Sequence, residues 1–580
     1  MKSRAVIARE STGWRIMEQS RVRLWCVGLF FCLCFFSIAW RMCDVALAGG
    51  GHAMTVTVTD PDDEKKSEQV DLQSAGSALQ RGDIVDRNGV LLATSLMTGS
   101  VFVNPKVIID RREAASKIAG ALGMDSAKLL AQLERKKSFV WIKRQLTPRE
   151  EQRVNSLGIP GLYFAPEEKR VYPYGRLLAH AVGYVGIDNQ GLAGIERSLN
   201  WRLRSAAAVG QPLILSIDVR LQNIIREEIS GAMSEFHASG GAGVILDIHN
   251  GEVLSLVSLP DFDPNHPGDA SKDARFNRVA LGDYEMGSTF KSFTMAMAMQ
   301  YGLATMKSRY DATQPLKIAS FTVHDDHEMH RWLTVPEIYA YSSNIGAARI
   351  GLSIGGKRQK AFLEKLGMMQ PVDIELPGRA SPLYPADWRD INTVTIAYGQ
   401  GISVTPLHLV RGIAAMVDGG ILPRLTLLKG GNDDRPQGAR VISEAVSKNI
   451  RRLMRLVVEH GTGTKADVPG YDVGGKTGTA QKASHGVYAA HSRLSSFVAV
   501  FPINHPRYVV LVMIDDPRGN ASTHQFATAG WTAAPAVGRV IARMGPLLGM
   551  PPEYQASGDD AEKFWPAAAA EKKVYHVAAE

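Results

Sequence analysis

Hydrophobic positions divide the chain into one long apolar run near the N-terminus and many shorter runs after it. The long run extends from Leu24 to Trp40 and carries no charge. Only Glu10 and Glu18 oppose the basic residues that precede it, which are Lys2, Arg4, Arg9, Arg15, Arg21 and Arg23. Basic residues concentrate on the cytoplasmic side of a membrane-spanning segment. We therefore predict a cytoplasmic segment over 1–23 and a single transmembrane helix over 24–47, with the rest of the chain outside the cytoplasmic membrane.

A cleaved signal peptide is the alternative for this N-terminal segment. Ala46-Leu47-Ala48 has the small residues of a cleavage site. However, the basic region is long, and the apolar run exceeds the roughly 7–15 residues of a signal-peptide core. The sequence therefore favours an uncleaved anchor.

Short apolar runs, separated by residues that favour turns, follow the predicted anchor. Asn88-Gly89 lies between two apolar runs, and an Asn-Gly pair in that position favours a β-hairpin. Helical spacing of apolar residues predicts helices over Arg112–Leu122 and Pro148–Leu157. These elements predict a mixed domain of short strands and helices over 48–212.

A second domain is predicted after residue 212. Asp218 ends its first apolar run and is suited to cap the helix that follows. Asn250-Gly251 joins two strand-like runs, and a second pair of such runs surrounds Pro502–Pro506. Strands are predicted near both ends of this segment, with helices between them. This order predicts one α+β domain over 213–552, in which strands from the beginning and the end of the domain join in one sheet.

Composition narrows the class of protein. The 580 residues suffice for about two or three domains, and 45% hydrophobic with 21% charged residues is typical of a globular chain. The net charge of +8 is modest for this length and does not argue for binding of nucleic acid.

The last residues, 553–580, are polar and Ala-rich, and this composition predicts a flexible tail. All cysteines lie in or beside the apolar run, at Cys26, Cys32, Cys34 and Cys43, so the exported part has no disulfide.

One candidate catalytic motif is Ser288-Thr289-Phe290-Lys291, which Gly287 precedes at the start of a predicted helix. Residues three apart lie on the same helix face, so the lysine amine can reach the serine hydroxyl. A serine hydroxyl needs a base to become a nucleophile, and a lysine serves as one when burial or a nearby cation lowers its pKa. The motif alone is weak, because a surface helix terminus would have the same pattern.

Two further motifs strengthen that assignment. Ser342, Ser343 and Asn344 form an S-x-N turn that enters a helix, and Ser342 follows Ser288 by 54 residues. Lys476-Thr477-Gly478-Thr479 reads as an edge strand after two glycines. An ordinary helix cap and a Gly-rich turn are the simpler interpretations of each alone. A phosphate loop is disfavoured, because a strand and not a helix is predicted after the lysine. Together, S-x-x-K, S-x-N and K-T-G are the set shared by penicillin-binding proteins and class A β-lactamases.

Over nearly its whole length the chain resembles a class B penicillin-binding protein. The stretches RGDIVDRNGVLLA, RVYPYGRLLAHAVGYVG, GLAGIERSLNWRL, LSIDVRLQ and AYGQGISVTPLHL are similar to that family. VWIKRQLTP and GIPGL resemble its division-specific, septal members more than its elongation members. Met286 stands where the family usually has proline, and Ala193 where an acidic residue is common. We expect the first departure to have only a small local effect.

The resemblance implies a role for each motif residue. Ser288 is the nucleophile that attacks the penultimate D-alanine of a stem peptide, and Lys291 is its base. Ser342 relays a proton to the leaving amine, Asn344 orients the substrate or Lys291, and Lys476 adds a positive field that keeps Lys291 partly neutral. The substrate-binding residues are Thr477, Gly478 and Thr479, and both threonines bind the terminal carboxylate of the stem peptide. The backbone N–H groups of Ser288 and Thr479 form the oxyanion hole.

The resemblance also implies a fold and partners. It implies an elongated, non-catalytic pedestal of the dimerisation type, then a penicillin-binding transpeptidase fold with an antiparallel sheet and a helical lobe. Stem peptides, β-lactam inhibitors, a membrane-embedded glycan polymerase, division-complex proteins and the inner membrane are the implied partners, and no metal or organic cofactor is required. The alternatives are an elongation-type transpeptidase, a β-lactamase or β-lactam sensor, and a non-catalytic division scaffold. The run from His324 to His330 is interpreted as a solvated loop and not as a metal site.

Overall fold

The computed structural model describes residues 81–554 except 136, 431–437 and 485–486, together with 25, 29, 31–40, 55–59, 67–71, 563 and 565. Packing divides the chain into two compact units. The first comprises Met1–Leu79 and Thr98–Glu167, and the second comprises Gln80–Met97 and Glu168–Glu580.

The predicted anchor falls largely outside the described residues. Residues 31–40 are helical, whereas 1–23 and 41–47 are not described. In the part of the chain that the structure describes, no helix combines the length and apolar character needed to cross a bilayer. Strands β1 (Thr55–Thr59) and β2 (Ser67–Asp71) follow as an antiparallel pair.

In the first unit, helices pack on a small sheet. Strand β4 (Leu91–Val103), which continues from the second unit, pairs with β5 (Val140–Leu146) and with β6 (Leu162–Val171). The helices are α1 (Arg111–Leu122), α2 (Ser126–Leu133) and α3 (Pro148–Asn155). Both predicted helices are confirmed to within about two residues. Their apolar faces form a core with the sheet that includes Val101, Ile118, Leu133 and Ile142.

The second unit begins with the predicted Asn-Gly hairpin. Strand β3 (Ile84–Val85) pairs antiparallel with the start of β4 and parallel with β7 (Leu213–Ile214). The carboxylate of Asp86 accepts hydrogen bonds from the backbone N–H groups of Asn88 and Val90, at 2.7 and 2.9 Å, and so closes the turn. The predicted hairpin is confirmed.

A buried ion network lies beside this hairpin. Glu196 is fully buried and accepts hydrogen bonds from the guanidinium groups of Arg81, at 2.9 Å, and Arg170, at 2.7 Å. Removing this carboxylate alone would leave two buried cations without their anionic partner, which destabilises the folded state.

The main sheet of the second unit is antiparallel and has the strand order β14-β15-β16-β8-β9. Its strands are β8 (Gly240–Asp247), β9 (Val253–Leu259), β14 (Gly474–Ser484), β15 (Val487–Phe501) and β16 (Tyr508–Asp515). Because β16 pairs with β8, the last strand closes on the first. The predicted α+β sheet, joined by strands from both ends of the domain, is confirmed, and β14 lies at one of its two edges.

Helices cover both faces of this sheet. Helix α7 (Val219–Glu235), which Asp218 caps as predicted, packs with α16 (Ala533–Leu547) on one face. The other face packs against a helical lobe whose core includes Phe293 and Val498. The helices of the lobe are α9 (Lys291–Gln300), α10 (Val335–Ala340), α11 (Asn344–Ile354), α12 (Gly356–Lys365), α13 (Asp390–Ala397), α14 (Pro406–Val417) and α15 (Glu444–His460).

Shorter elements complete the second unit. The helices are α4 (Ala179–Val182), α5 (Gly194–Ser198), α6 (Asn200–Val209) and α8 (Lys272–Arg275). The strands β10 (Arg309–Ala312) and β13 (Arg331–Thr334) pair with each other, as do β11 (Leu316–Ile318) and β12 (Phe321–Val323).

Candidate active site

Ser288 lies on a single 3₁₀ turn, Gly287–Phe290, that leads directly into α9. The Thr289 hydroxyl donates to the Met286 carbonyl at 2.8 Å and so ties the start of this turn. Lys291 is fully buried, and its Nζ lies 3.0 Å from the Ser288 Oγ. The spacing therefore brings the two groups together as the sequence predicts.

The S-x-N turn lies against the same lysine. Lys291 Nζ donates to Asn344 Oδ1 at 2.7 Å, to Ser342 Oγ at 3.1 Å and to the Ser342 carbonyl. With Ser288, four oxygens surround this amine, whereas an ammonium has three protons. It therefore cannot donate to all four oxygens at once. When the amine is neutral, its lone pair can accept a proton from one of the two hydroxyls, since the carbonyl and amide oxygens have none to donate.

Lys476 extends from the edge strand β14 toward Ser342 and Lys291. Its side chain is fully buried, and its Nζ lies 3.0 Å from the Ser342 Oγ and 5.6 Å from the centre of the Tyr339 ring. Ser342 thus contacts both amines. This arrangement connects the two lysines through one hydroxyl that can pass a proton.

Burial controls the charge of both lysines. It lowers the pKa of Lys291 to about 8, while the negative charges of Asp325 and Asp326 act in the opposite direction. Burial also lowers the pKa of Lys476 well below its usual value, and repulsion from Lys291 adds to that effect. The sequence indicated that burial or a nearby positive charge would lower the pKa of Lys291, and the resemblance implied that Lys476 adds such a charge. In the structure, loss of solvent is the main cause, because both amines are enclosed.

The K-T-G segment lies beside the nucleophile. The hydroxyls of Thr477 and Thr462 are 2.6 Å apart, and Thr479 Oγ1 accepts from the Ala529 N–H at 3.3 Å. A Cβ added at Gly478 would lie 2.7 Å from the Met286 carbonyl oxygen, closer than real side chains approach. Glycine at this position therefore allows the strand to approach the turn that carries Ser288.

Asp325 is a site residue that sequence reasoning missed. Its carboxylate accepts from Ser343 Oγ at 2.7 Å and from the Ile345 N–H at 2.8 Å. Among the described residues there is no cluster of His, Cys, Asp or Glu suited to hold a metal. The interpretation of 324–330 as a solvated loop holds for the exposed Asp326 but is wrong for Asp325, which is buried. Sequence offered no signal, since both carboxylates belong to one polar run.

The AYGQG stretch also supports the site. The Gly399 carbonyl accepts from the Gly287 N–H at 3.1 Å, and Glu285 Oε1 accepts from the Gly401 N–H at 2.7 Å. These bonds hold both sides of the nucleophile turn. The similarity of AYGQG to the family was the available signal, but the motif itself names no partner.

Trp565 lies near the S-x-N turn. Its ring stacks on His460, with centroids 4.7 Å apart, and contacts Tyr341 at 5.6 Å. Most of the predicted tail, 553–580, lies outside the described residues.

Comparison with known proteins identifies families and relatives that the chain resembles. Residues 241–534 match the family model of the penicillin binding protein transpeptidase domain, and 77–211 match that of the penicillin-binding protein dimerisation domain. The chain is 38% identical to a probable peptidoglycan D,D-transpeptidase FtsI of Caulobacter vibrioides, over 93% of this chain and 91% of that protein. It is 28% identical to the peptidoglycan D,D-transpeptidase FtsI of Escherichia coli, over 88% of this chain and 91% of that protein.

A solved structure shares the fold. Penicillin binding protein 3 from Mycobacterium tuberculosis, complexed with ampicillin, has a TM-score of 0.65 and 23% identity, over 83% of this chain and 98% of that chain.

Proposed function

This chain belongs to the penicillin-binding protein transpeptidase family, and from that premise we propose that it is a class B, division-specific peptidoglycan D,D-transpeptidase. It cross-links stem peptides during septal wall synthesis through an acyl-serine intermediate. One observation carries the proposal: a buried lysine amine lies 3.0 Å from the Ser288 hydroxyl and contacts both polar residues of the S-x-N turn.

In the acylation step, Ser288 Oγ forms a bond to the carbonyl carbon of the penultimate D-alanine. Its proton passes to the neutral Nζ of Lys291, which is a base of suitable strength because burial brings its pKa to about 8. Collapse of the tetrahedral intermediate breaks the C–N bond. The terminal D-alanine leaves as an amine and receives a proton through Ser342, which contacts both lysines.

The transfer step reverses the roles. An amine of a neighbouring stem peptide attacks the ester carbon, loses a proton to Lys291 and forms the new amide. The C–O bond to Ser288 then breaks, and its hydroxyl is restored. If water attacks instead, the same site acts as a carboxypeptidase. A β-lactam acylates Ser288 in the same way, and no metal or organic cofactor takes part.

Substrate binding is assigned to the edge strand. Thr477 and Thr479 hold the terminal carboxylate, and Gly478 gives the substrate access to the strand. Asn344 orients Lys291 through the bond at 2.7 Å, and Lys476 contacts the relay hydroxyl of Ser342 at 3.0 Å. The N–H groups of Ser288 and Thr479 stabilise the oxyanion. In support, a Cβ added at Gly287 would lie 2.6 Å from the Thr479 carbonyl oxygen, so the two backbones are adjacent.

The cellular placement rests on the sequence and on the named relatives. We assign 1–23 to the cytoplasm, 24–47 to a transmembrane helix, 48–212 to the pedestal, 213–552 to the transpeptidase domain and 553–580 to a flexible tail. The protein acts at the division septum, anchored in the inner membrane, with a membrane-embedded glycan polymerase and division-complex proteins as partners.

The test uses the full-length chain in detergent with a disaccharide-pentapeptide substrate and mass spectrometry of the products. We expect release of D-alanine and formation of a cross-linked dimer by wild type and by neither Ser288→Ala nor a no-enzyme control. Substrate that stays intact with folded wild-type protein would contradict the proposal and favour a non-catalytic scaffold.

A further inference from the structure

The S-x-N turn is held in a conformation that needs support. Ser342 has a backbone φ of +63°, in the left-handed region that is unfavourable for a residue other than glycine. Such a residue persists only where its surroundings fix it. On one side, Lys291 Nζ binds the Ser342 carbonyl and hydroxyl. The support on the other side comes from Asp325.

Asp325 fixes the two residues that flank Asn344. Its Oδ2 accepts from the Ser343 hydroxyl at 2.7 Å, and its Oδ1 accepts from the Ile345 N–H at 2.8 Å. The Ser343 Oγ in turn accepts from the Gly346 N–H at 2.9 Å, as the cap of α11. A carboxylate at the start of a helix also interacts favourably with the helix dipole.

The neighbouring backbone completes the support. The amide Nδ2 of Asn344 donates to the His324 carbonyl at 3.1 Å. This leaves the Asn344 Oδ1 directed at Lys291 Nζ, at 2.7 Å. The two consecutive residues His324 and Asp325 therefore determine how the S-x-N turn faces the base.

We propose that Asp325 is a positioning residue for acylation: it holds the S-x-N turn against Lys291 by its bonds to Ser343 and Ile345. This inference rests on the proposed function, because it concerns the rate at which Ser288 is acylated. Asp325 does not touch the reacting atoms.

Asp325 has an electrostatic effect in addition to its geometric one. The titratable groups around Lys291 are Lys476, Asp325 and the exposed Asp326, and the other polar groups are Ser288, Ser342 and Asn344. Both carboxylates favour the protonated amine, against the effect of burial. Loss of the charge at Asp325 alone therefore moves the titration of Lys291 to lower pH.

The experiment measures the second-order rate constant for acylation of the full-length chain by benzylpenicillin over roughly pH 6–10. Asp325→Ala removes both hydrogen bonds, and we expect the maximal rate to fall on the order of 10²-fold, as a displacement near 1 Å produces. The amide of Asp325→Asn keeps an oxygen that can accept from the Ile345 N–H and an NH₂ group that can hydrogen-bond to the Ser343 hydroxyl. We expect it to retain most of the maximal rate and to shift the rising limb of the pH profile to lower pH.

Asp326→Ala is the matched control, because it removes a neighbouring carboxylate that acts on Lys291 through charge. It should keep the maximal rate. Equal losses in Asp325→Ala and Asp326→Ala, or a wild-type rate and profile in Asp325→Ala, would overturn the proposal. If Asp325→Ala does not fold, Ser343→Ala decides, because it removes the 2.7 Å bond to Asp325 and leaves the carboxylate in place. A wild-type maximal rate in that variant overturns the proposal. Absence of acylation in wild type would instead contradict the proposed function.

Discussion

Gly287 is the position where a single added methyl group most directly tests the geometry of the nucleophile. Its φ is +51°, and the Cβ of an alanine would lie 2.6 Å from the Thr479 carbonyl oxygen. Ordinary contacts of this kind begin at 3.4 Å, so the overlap is 0.8 Å and falls between two backbones. Neither backbone is the movable end of a side chain, so the turn that carries Ser288 and strand β14 must separate.

The size of the effect follows from that overlap. The left-handed φ costs alanine about 1–2 kcal/mol of stability. A displacement near 1 Å between the nucleophile and the strand that binds substrate lowers the acylation rate on the order of 10²-fold. Gly287→Ala should therefore fold, unfold at slightly lower urea concentration, and lose most of its acylation rate with benzylpenicillin.

Gly302→Ala supplies the control. Gly302 has a φ of +69° just beyond the other end of α9, and nothing lies within 4 Å of its added Cβ. It carries the same backbone penalty without the overlap, so its stability should fall similarly while its acylation rate stays near that of wild type. Gly287→Ala acylating as fast as Gly302→Ala would refute the placement of Ser288 against β14.

The remaining predictions concern stability and substrate binding. Glu196→Ala should lower the free energy of unfolding by about 3–5 kcal/mol in urea denaturation; a loss under about 1 kcal/mol would contradict the buried network. Burial lowers the pKa of His180 and of His408 to about 4. Since the unfolded chain binds these protons first, stability should be full above about pH 6.5 and fall as pH decreases toward about 4, and thermal unfolding of His408→Gln should show a weaker decline. Thr477→Val removes the hydroxyl 2.6 Å from that of Thr462 and should reduce acylation about tenfold or more, whereas Thr477→Ser should retain it.

Local chemistry made part of the fold predictable. The Asn-Gly pair at 88–89 specified a turn, because few residues adopt its backbone angles, and the Asp86 bonds confirm it. Asp218 was predicted as a helix cap and accepts from the Arg220 N–H at 3.0 Å. The spacing of three residues between Ser288 and Lys291 predicted that the lysine amine lies beside the serine hydroxyl, and the two atoms are 3.0 Å apart. In each case the interacting residues are within a few positions of each other.

Contacts between distant segments were not predictable from the local pattern. The sequence did not show that Asp325 binds Ser343, 18 residues later, because neighbouring Asp326 has the same chemistry and is exposed. It also gave no indication that the Gly399 carbonyl would hold the Gly287 N–H. The charge state of Lys291 depends on burial, which the lobe and the sheet create together.

The most direct test of the central claim is intact-mass spectrometry of the full-length chain after incubation with benzylpenicillin, for wild type and Ser288→Ala. We expect a stable adduct of one penicilloyl group on wild type and none on Ser288→Ala. Slow deacylation of that adduct would separate a transpeptidase from a β-lactamase. Folded wild-type protein without an adduct, or an adduct that persists in Ser288→Ala, would contradict the central claim.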